Sequence, residues 1–175
     1  RNALLDEPGT VQKRVGLIQA DITRPGLHTA LDAALLPCNT FSVFSDLERE
    51  SVLGTVWDLL TPTGLFAFSV PNPERLQDSG QDGEDHDPEE FFTHPRTGNP
   101  VQVSSQIERV PGGMIWHWHY DHLLPDGRVK RVTLTTRHWF TSPERYRLEL
   151  QQNGFEIIDC FGDFNRKPFS PGAPY

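Results

Sequence analysis

Three short apolar runs in the first 70 residues predict buried β-strands. They are VGLIQA at residues 15–20, LDAALLP at 31–37 and LFAFSV at 65–70. Apolar and polar positions do not alternate along these runs, a pattern typical of parallel strands covered on both faces. We therefore expect the three runs to form the interior of a parallel sheet.

A helix separates the second run from the third. Ser45 and Glu48 have the spacing of a capping box at its start, and residues 61–64, TPTG, end it. Its predicted buried face consists of Leu53, Val56, Trp57 and Leu60, which recur at helical spacing. The order strand, helix, strand predicts a parallel α/β core.

From residue 101 onward the apolar positions follow a period of two. Residues 101–110, 113–124 and 128–140 predict three antiparallel strands, separated by the turns PGG and PDG. Residues 155–161, FEIIDCF, predict a further strand at the end of the chain. The predicted fold is therefore α/β, with parallel core strands and an antiparallel β insertion.

A second helix follows the antiparallel strands. Thr141 and Glu144 have the spacing of another capping box, and Pro143 suits the first helical turn. Gly154 is expected to end this helix.

The stretch WHWHYDH at residues 116–122 combines histidine, aspartate and aromatic residues. If residues 125–127 form a three-residue loop, Leu124 lies opposite Arg128. One face of the strand pair, here called the aromatic face, then carries Trp116, Trp118 and Tyr120 against Thr136, Leu134 and Val132. The other, the polar face, carries His117, His119 and Asp121 against Thr135, Thr133 and Arg131. A two-residue loop would mix these faces, so the pattern favours the longer turn.

The histidines of this stretch raise the question of a metal site. His117 and His119 share the polar face, but His122 points to the opposite one, so the strand alone makes a poor three-histidine site. Two histidines with a third ligand from elsewhere remain an alternative to a solvated or substrate-facing polar surface. We predict no metal.

Composition excludes several classes of partner. The chain has 16 basic and 24 acidic residues, with a net charge of −8, whereas nucleic-acid binders need a basic footprint. No apolar run is long enough to span a bilayer, and the N-terminus lacks the features of a signal peptide. We therefore expect a cytoplasmic protein with neither a nucleic-acid nor a membrane partner.

Two local features allow more than one interpretation. Residues 77–90 contain seven acids and no lysine or arginine, which is typical either of a solvated mobile loop or of an active-site lid. Cys38 and Cys160 form no Cys-x-x-Cys motif and are expected to be reduced core thiols, with a catalytic Cys38 as the alternative.

The order of these motifs resembles a class I S-adenosylmethionine-dependent methyltransferase. Asp21 follows the first run, LDAALLPCNTFSVF occupies residues 31–44, and WDLLTPTGLFAFSVPNP occupies 57–73. RHWFTSPERYRLELQQNGFEIIDCFGDF at residues 137–164 resembles a helix of the family and the strand that follows it. Small-molecule N- and O-methyltransferases of this kind carry an antiparallel insertion after the fifth strand.

The resemblance spans nearly the whole chain and implies a partial Rossmann-like organisation. Residues 1–76 and 141–175 would form part of the methyltransferase core, 77–100 an acidic loop and 101–140 the antiparallel insertion. The family's glycine-rich cofactor loop and ribose-binding acid have no counterpart in the sequence, and its seventh strand is also missing. We therefore expect a piece of a larger enzyme, which alone binds the cofactor poorly or not at all.

The resemblance also implies contacts to S-adenosylmethionine. Asp21 matches the acid that accepts a hydrogen bond from the adenine amino group, and Ile22 would pack on the adenine ring. Pro37, Cys38 and Asn39 would meet the methionine part of the cofactor, with Asn39 near the transferred methyl group. Asp21 is otherwise a turn or helix-cap residue, and Asn39 a capping or turn residue.

The methyl acceptor would lie beneath the insertion. Tyr120 or His138 is a candidate proton acceptor, and Arg137, His119 and His117 are candidate substrate contacts. Sheet packing or a dimer contact is the alternative role of each. His138 and Tyr120 lie on the aromatic face and the other candidates on the polar face, so the sequence leaves open which face meets the substrate.

Methyl transfer to a small-molecule N or O acceptor is thus the leading functional hypothesis. One alternative is a non-catalytic ligand- or protein-binding module that uses Trp116, Trp118 and Trp139. Another is a metal-dependent enzyme built on His117 and His119. An exposed aromatic sheet face would also suit a homodimer interface.

Overall fold

A computed structural model of the chain describes residues 2–74 and 90–173. The helices are α1 Asn2–Leu5, α2 Gly9–Gln12, α3 Asp46–Leu59 and α4 Pro143–Gln152, with a 3₁₀ helix at Thr40–Val43. The strands are β1 Leu31–Leu36, β2 Leu60–Phe68, β3 Glu90–Thr93, β4 Pro100–Val110, β5 Gly113–Leu123 and β6 Val129–Trp139. None of the described helices is both long and apolar enough to cross a membrane. The acidic segment, up to residue 89, lies outside the described residues.

Strands β1 and β2 form the predicted parallel pair, with Leu36 opposite Phe68. Helix α3 connects them and begins at the predicted capping box, because Ser45 and Glu48 satisfy each other's backbone N–H groups. Val52, Leu53 and Val56 face the core, whereas Trp57 remains 51% exposed. The buried face of α3 is therefore centred slightly away from the predicted one.

The core lies on one face of the parallel pair. Its buried members are Leu36, Phe41, Val52, Leu53, Val56 and Tyr146, and half-buried side chains of β1, β2 and α4 surround them. On the other face Leu35 and Leu65 are exposed. The expectation of strands covered on both faces is wrong for the described residues, because no described element packs on that second face.

Two predicted strands do not form. Residues 15–20 form no strand, and of residues 155–161 only Phe161 pairs, in an isolated bridge with Pro168. Leu17, Ile18 and Ile158 are exposed. A strand is stabilised by the hydrogen bonds of a neighbouring strand, and within residues 2–74 and 90–173 these segments pair with no strand. Their apolar composition is therefore insufficient to make them strands.

The antiparallel sheet has the predicted register. The sheet order is β3-β4-β5-β6, and Trp118 lies opposite Leu134, with His119 opposite Thr133. The Leu124 N–H donates to the Arg128 carbonyl at 2.8 Å, and Gly127 adopts a φ of 84°, which closes the three-residue loop. The division into an aromatic and a polar face is confirmed.

Helix α4 begins one residue later than predicted. Ser142, not Thr141, is its N-cap and accepts a hydrogen bond from the Arg145 N–H. With Ser142 as the cap, the third helical position is Arg145, so Glu144 cannot complete a capping box. Pro143 does occupy the first turn.

A buried ion pair joins α3 to α4. The Arg49 guanidinium, which is fully buried, donates to both carboxylate oxygens of Glu149 at 2.8 and 2.9 Å. It also donates to Asp46 at 2.9 Å and to the Phe44 carbonyl at 3.0 Å. Burial alone would lower the pKa of Arg49, but the Glu149 carboxylate raises it above its ordinary value.

We predict that Arg49→Met lowers the free energy of unfolding by about 3 kcal/mol, because Glu149 would keep a buried charge with less compensation. The double variant Arg49→Met/Glu149→Met should be more stable than the single one, since neither charge then remains. Arg128→Ala is a matched control, because the Arg128–Asp126 pair is exposed and should contribute below about 0.5 kcal/mol. Urea denaturation measures all three, and equal losses for Arg49→Met and Arg128→Ala would contradict the prediction.

Candidate functional site

A strained turn follows β1. Cys38 and Asn39 both adopt left-handed backbone conformations, with φ of 58° and 59°, and such strain in non-glycine residues is concentrated at functional sites. The Asn39 N–H donates to the Ser69 hydroxyl at 3.3 Å. The side-chain oxygen of Asn39 is buried without a hydrogen-bond partner among the described residues. The turn lies at the carboxyl end of β1, where open α/β sheets bind ligands.

Asp21 lies in an exposed turn. One of its carboxylate oxygens, Oδ1, accepts hydrogen bonds from the N–H and the hydroxyl of Thr23, at 2.9 and 2.8 Å. These bonds hold the pKa of Asp21 below its ordinary value. Thr55 of α3 donates to the Thr23 carbonyl at 2.9 Å, which anchors the turn, and Ile22 packs against the core.

His138 connects the antiparallel sheet to the strained turn. Its Nδ1 lies 2.8 Å from the Ser42 hydroxyl oxygen, and that hydroxyl also lies 2.8 Å from the Asn39 carbonyl. Ser42 is fully buried and His138 is 7% exposed. Burial lowers the pKa of His138, because desolvation disfavours the charged imidazolium.

The backbone around His138 is tightly packed. A Cβ added at Gly113, the first residue of β5, would collide with the His138 carbonyl oxygen. Beside the imidazole, Trp116 makes an edge contact with 6.0 Å between ring centroids and stacks on Trp118 at 4.8 Å. The indole N–H of Trp116 is buried without a partner among the described residues.

His138 and Tyr120 share the aromatic face but lie far apart along it. His138 is paired with Met114, and Tyr120 lies further along β5 by roughly 20 Å, at about 3.3 Å per residue. The structure therefore brings His138, but not Tyr120, to the turn that contains Asn39.

The polar-face candidates lie on the opposite side of the sheet from His138. His117 and His119 are hydrogen-bonded through Nδ1 to Thr135 and Thr133, at 3.2 and 2.9 Å. Beside them, the Arg131 guanidinium holds the pKa of Asp121 below its ordinary value. These cross-strand pairs account for the polar side chains of WHWHYDH as a hydrogen-bonded surface.

Arg137 also belongs to the polar face. Its guanidinium stacks over the Trp139 ring at 4.0 Å and donates to the Pro111 carbonyl at 3.2 Å. Within the part of the chain that the structure describes, no group of three or more His, Cys, Asp or Glu residues could hold a metal ion. No third ligand for the His117 and His119 pair is therefore present among those residues.

Ser42 is the member of this site that the sequence analysis missed. Its position within FSVF, between core side chains, was the available signal, since a buried hydroxyl requires a hydrogen-bond partner. The partner, His138, is 96 residues away in the chain, so its identity depends on the tertiary fold. Cys38, by contrast, is exposed, and the prediction of a core thiol there is wrong; Cys160 is exposed too.

Comparison with known proteins identifies the fold. No protein-family model and no curated protein sequence matches the chain, whereas solved structures do. An S-adenosylmethionine-dependent methyltransferase from Clostridium acetobutylicum is 12% identical, with a TM-score of 0.71 over 88% of this chain and 59% of that one. The CcbJ methyltransferase of Streptomyces caelestis is 17% identical, with a TM-score of 0.70 over 99% of this chain and 65% of that one.

A third similar structure is an amino pentose methyltransferase involved in calicheamicin biosynthesis in Micromonospora echinaspora, solved with bound S-adenosylmethionine. It is 15% identical, with a TM-score of 0.61 over 85% of this chain and 60% of that one. The chain thus has the class I S-adenosylmethionine-dependent methyltransferase fold, as the order of its motifs predicted. It spans between 59% and 65% of the length of these three solved chains.

The buried state of His138 predicts a pH dependence of stability. Because the folded-state pKa of His138 is lowered, the unfolded chain binds this proton more readily than the folded chain. Stability should therefore fall as pH decreases below the ordinary histidine pKa, about 6.5, towards the lowered value, with a slope of at most about 1.4 kcal/mol per pH unit.

Urea denaturation of the wild type and His138→Asn between pH 8 and 5 measures this contribution as the difference between the two curves. Above about pH 7.5 the difference should be constant, since the imidazole is neutral in both states there. A difference that stays constant down to pH 5 would count against a buried, neutral His138.

Proposed function

We propose that this chain takes part in S-adenosylmethionine-dependent methyl transfer to a small-molecule N or O acceptor. The observation that carries the proposal is the junction at the carboxyl end of β1, where the strained turn of Cys38 and Asn39 meets His138 of the antiparallel sheet. A polar site at this position of an open α/β sheet suits a ligand.

Residues of this junction and of the separate Asp21 turn would suit the cofactor. Hydrogen bonds to Asp21 from described residues go to Oδ1, which leaves Oδ2 of an exposed carboxylate to accept from the adenine amino group. Pro37 and Cys38 are exposed at the end of β1, and the buried side-chain oxygen of Asn39 lacks a partner among the described residues. These groups would hold the adenine and methionine ends of the cofactor.

S-adenosylmethionine supplies, when bound, a methyl group on a sulfonium, which is transferred in line to a nucleophilic atom. His138 is the favoured proton acceptor, because its lowered pKa keeps the imidazole neutral at pH 7 and it lies beside the turn. Tyr120 would lie too far along β5 for the same role. His117, His119 and Arg137 would then contact only a part of the acceptor, or a partner, that reaches the polar face.

The span of the structural alignments supports a further part of the proposal. Because the chain covers between 59% and 65% of the three solved methyltransferases described above, it would be one part of a larger enzyme. The contacts to the ribose hydroxyls and the carboxylate of the cofactor would then come from outside these 175 residues.

A non-catalytic binding module is the second candidate. On the aromatic face, Val132 and Leu134 remain 39% and 54% exposed, next to the stacked indoles of Trp116 and Trp118. Such a surface suits an apolar or planar ligand. Binding of S-adenosylhomocysteine by the intact protein distinguishes the two candidates. A module that uses only the aromatic face would not need to bind this cofactor product.

Asp21→Asn separates a cofactor role from a turn role. The amide oxygen can still accept from Thr23, so stability should change little, but the second position becomes an N–H group that opposes the adenine amino group. We predict that the affinity of the intact protein for S-adenosylhomocysteine, measured by calorimetric titration, falls by roughly tenfold, the equivalent of one hydrogen bond. Asp21→Ala should lower both affinity and stability.

Asp126→Asn is the matched control. Asp126 also accepts from the N–H two residues later, at 3.1 Å, but lies in the β5–β6 loop, so its replacement should leave cofactor affinity unchanged. If the intact wild-type protein and its Asp21→Asn variant bind S-adenosylhomocysteine with equal affinity, the adenine contact is rejected. If the intact wild-type protein, of which this chain would be one part, shows no detectable binding, methyl transfer itself is rejected.

A further inference from the structure

Ser42 links the strained turn to His138. Its hydroxyl oxygen is 2.8 Å from the Asn39 carbonyl oxygen and 2.8 Å from Nδ1 of His138. The residue is fully buried, so water does not compete for these two hydrogen bonds.

The hydroxyl has a single proton and can donate to one partner only. A carbonyl oxygen can only accept, so the bond to Asn39 requires the proton of Ser42. Towards Nδ1 the hydroxyl then acts as acceptor, and Nδ1 must carry the hydrogen. Because a neutral imidazole has one N–H group, Nε2 is left with its lone pair.

The contact of Nε2, on the other side of the imidazole ring, is consistent with the Nδ1-protonated tautomer. Nε2 lies 3.3 Å from the hydroxyl oxygen of Thr136, which can donate to the lone pair. Thr136 belongs to the aromatic face, where the indole N–H of Trp116 also lies, buried without a partner among the described residues. Nε2 therefore presents an acceptor on the face that adjoins the turn.

We propose that Ser42 is a positioning residue that holds His138 in its Nδ1-protonated tautomer, so that Nε2 accepts the proton of the methyl acceptor; this rests on the proposed function. In that step the N–H or O–H bond of the acceptor breaks, its proton bonds to Nε2, and its electron pair stays on the nucleophilic atom. The Nδ1–H group remains hydrogen-bonded to Ser42, which in turn donates to the Asn39 carbonyl. The fixed dipole of the Asn39 carbonyl, acting through the Ser42 hydroxyl, thereby stabilises the positive charge of the imidazolium.

The test is the tautomer itself. Two-bond ¹H–¹⁵N correlation spectra of the ¹⁵N-labelled protein at pH 8 distinguish Nδ1–H from Nε2–H, and the loss of one signal set in His138→Asn assigns His138. We expect Nδ1–H in the wild type. Ser42→Ala should convert His138 largely to Nε2–H, which can donate to Thr136, whereas Ser42→Thr retains the hydroxyl and should keep Nδ1–H.

Thr136→Val is the matched control, because it removes the partner of Nε2 and preserves the shape of the side chain. Its tautomer should remain Nδ1–H. An Nε2–H tautomer in the wild type, or an unchanged Nδ1–H tautomer in folded Ser42→Ala, would overturn the proposal.

Titration of the same intact protein with S-adenosylhomocysteine separates this outcome from failure of the proposed function. An Nε2–H tautomer in a protein that binds S-adenosylhomocysteine would overturn the role of Ser42 alone. Absence of binding, with Nδ1–H in the wild type, would overturn the reaction-linked role together with the proposed function.

Discussion

The Arg49–Glu149 ion pair determines how helix α3 and the segment before it pack against helix α4. One guanidinium is bonded to the start of its own helix through Asp46, to the segment before that helix through the Phe44 carbonyl, and to α4 through Glu149. Arg145 adds a third hydrogen bond to Glu149, at 2.8 Å. The charges are buried, so any arrangement that separates them would leave a desolvated carboxylate or guanidinium, which is strongly disfavoured.

The Ser42–His138 contact depends on the Arg49–Glu149 ion pair, because the ion pair lies close in sequence to both residues. The Phe44 carbonyl ends the short segment that contains Ser42, and α4 follows β6, which ends one residue after His138. The ion pair therefore fixes the positions of two segments whose side chains meet in the Ser42–His138 hydrogen bond. Tyr146 packs beside Arg49, with 5.4 Å from the guanidinium to the ring centroid, and beside Phe41, with 5.7 Å between ring centroids.

The local features of the fold could be predicted from the sequence because interactions between nearby residues determine them. The capping box at Ser45, the three-residue loop before Arg128 and the two-faced pairing of β5 with β6 depend on neighbouring residues and on side-chain alternation. Residues 15–20 and 155–161 were predicted wrongly as strands because an apolar run becomes a strand only when another strand pairs with it. The buried Ser42 hydroxyl and the buried Arg49 could not be matched to partners, since those partners lie about 100 residues away.

The difference between local and long-range partners also explains the role of the stretch WHWHYDH. Its polar-face side chains His119, His117 and Asp121 are hydrogen-bonded within the sheet to Thr133, Thr135 and Arg131, and these bonds involve no ligand. The chemically informative histidine is His138, on the neighbouring strand, because its partner belongs to a different part of the fold. Trp116 lies against its ring, and thus the aromatic side of WHWHYDH borders the candidate reaction site. A cluster of histidines on one strand therefore indicates less about function than a single buried histidine whose protonation another element can control.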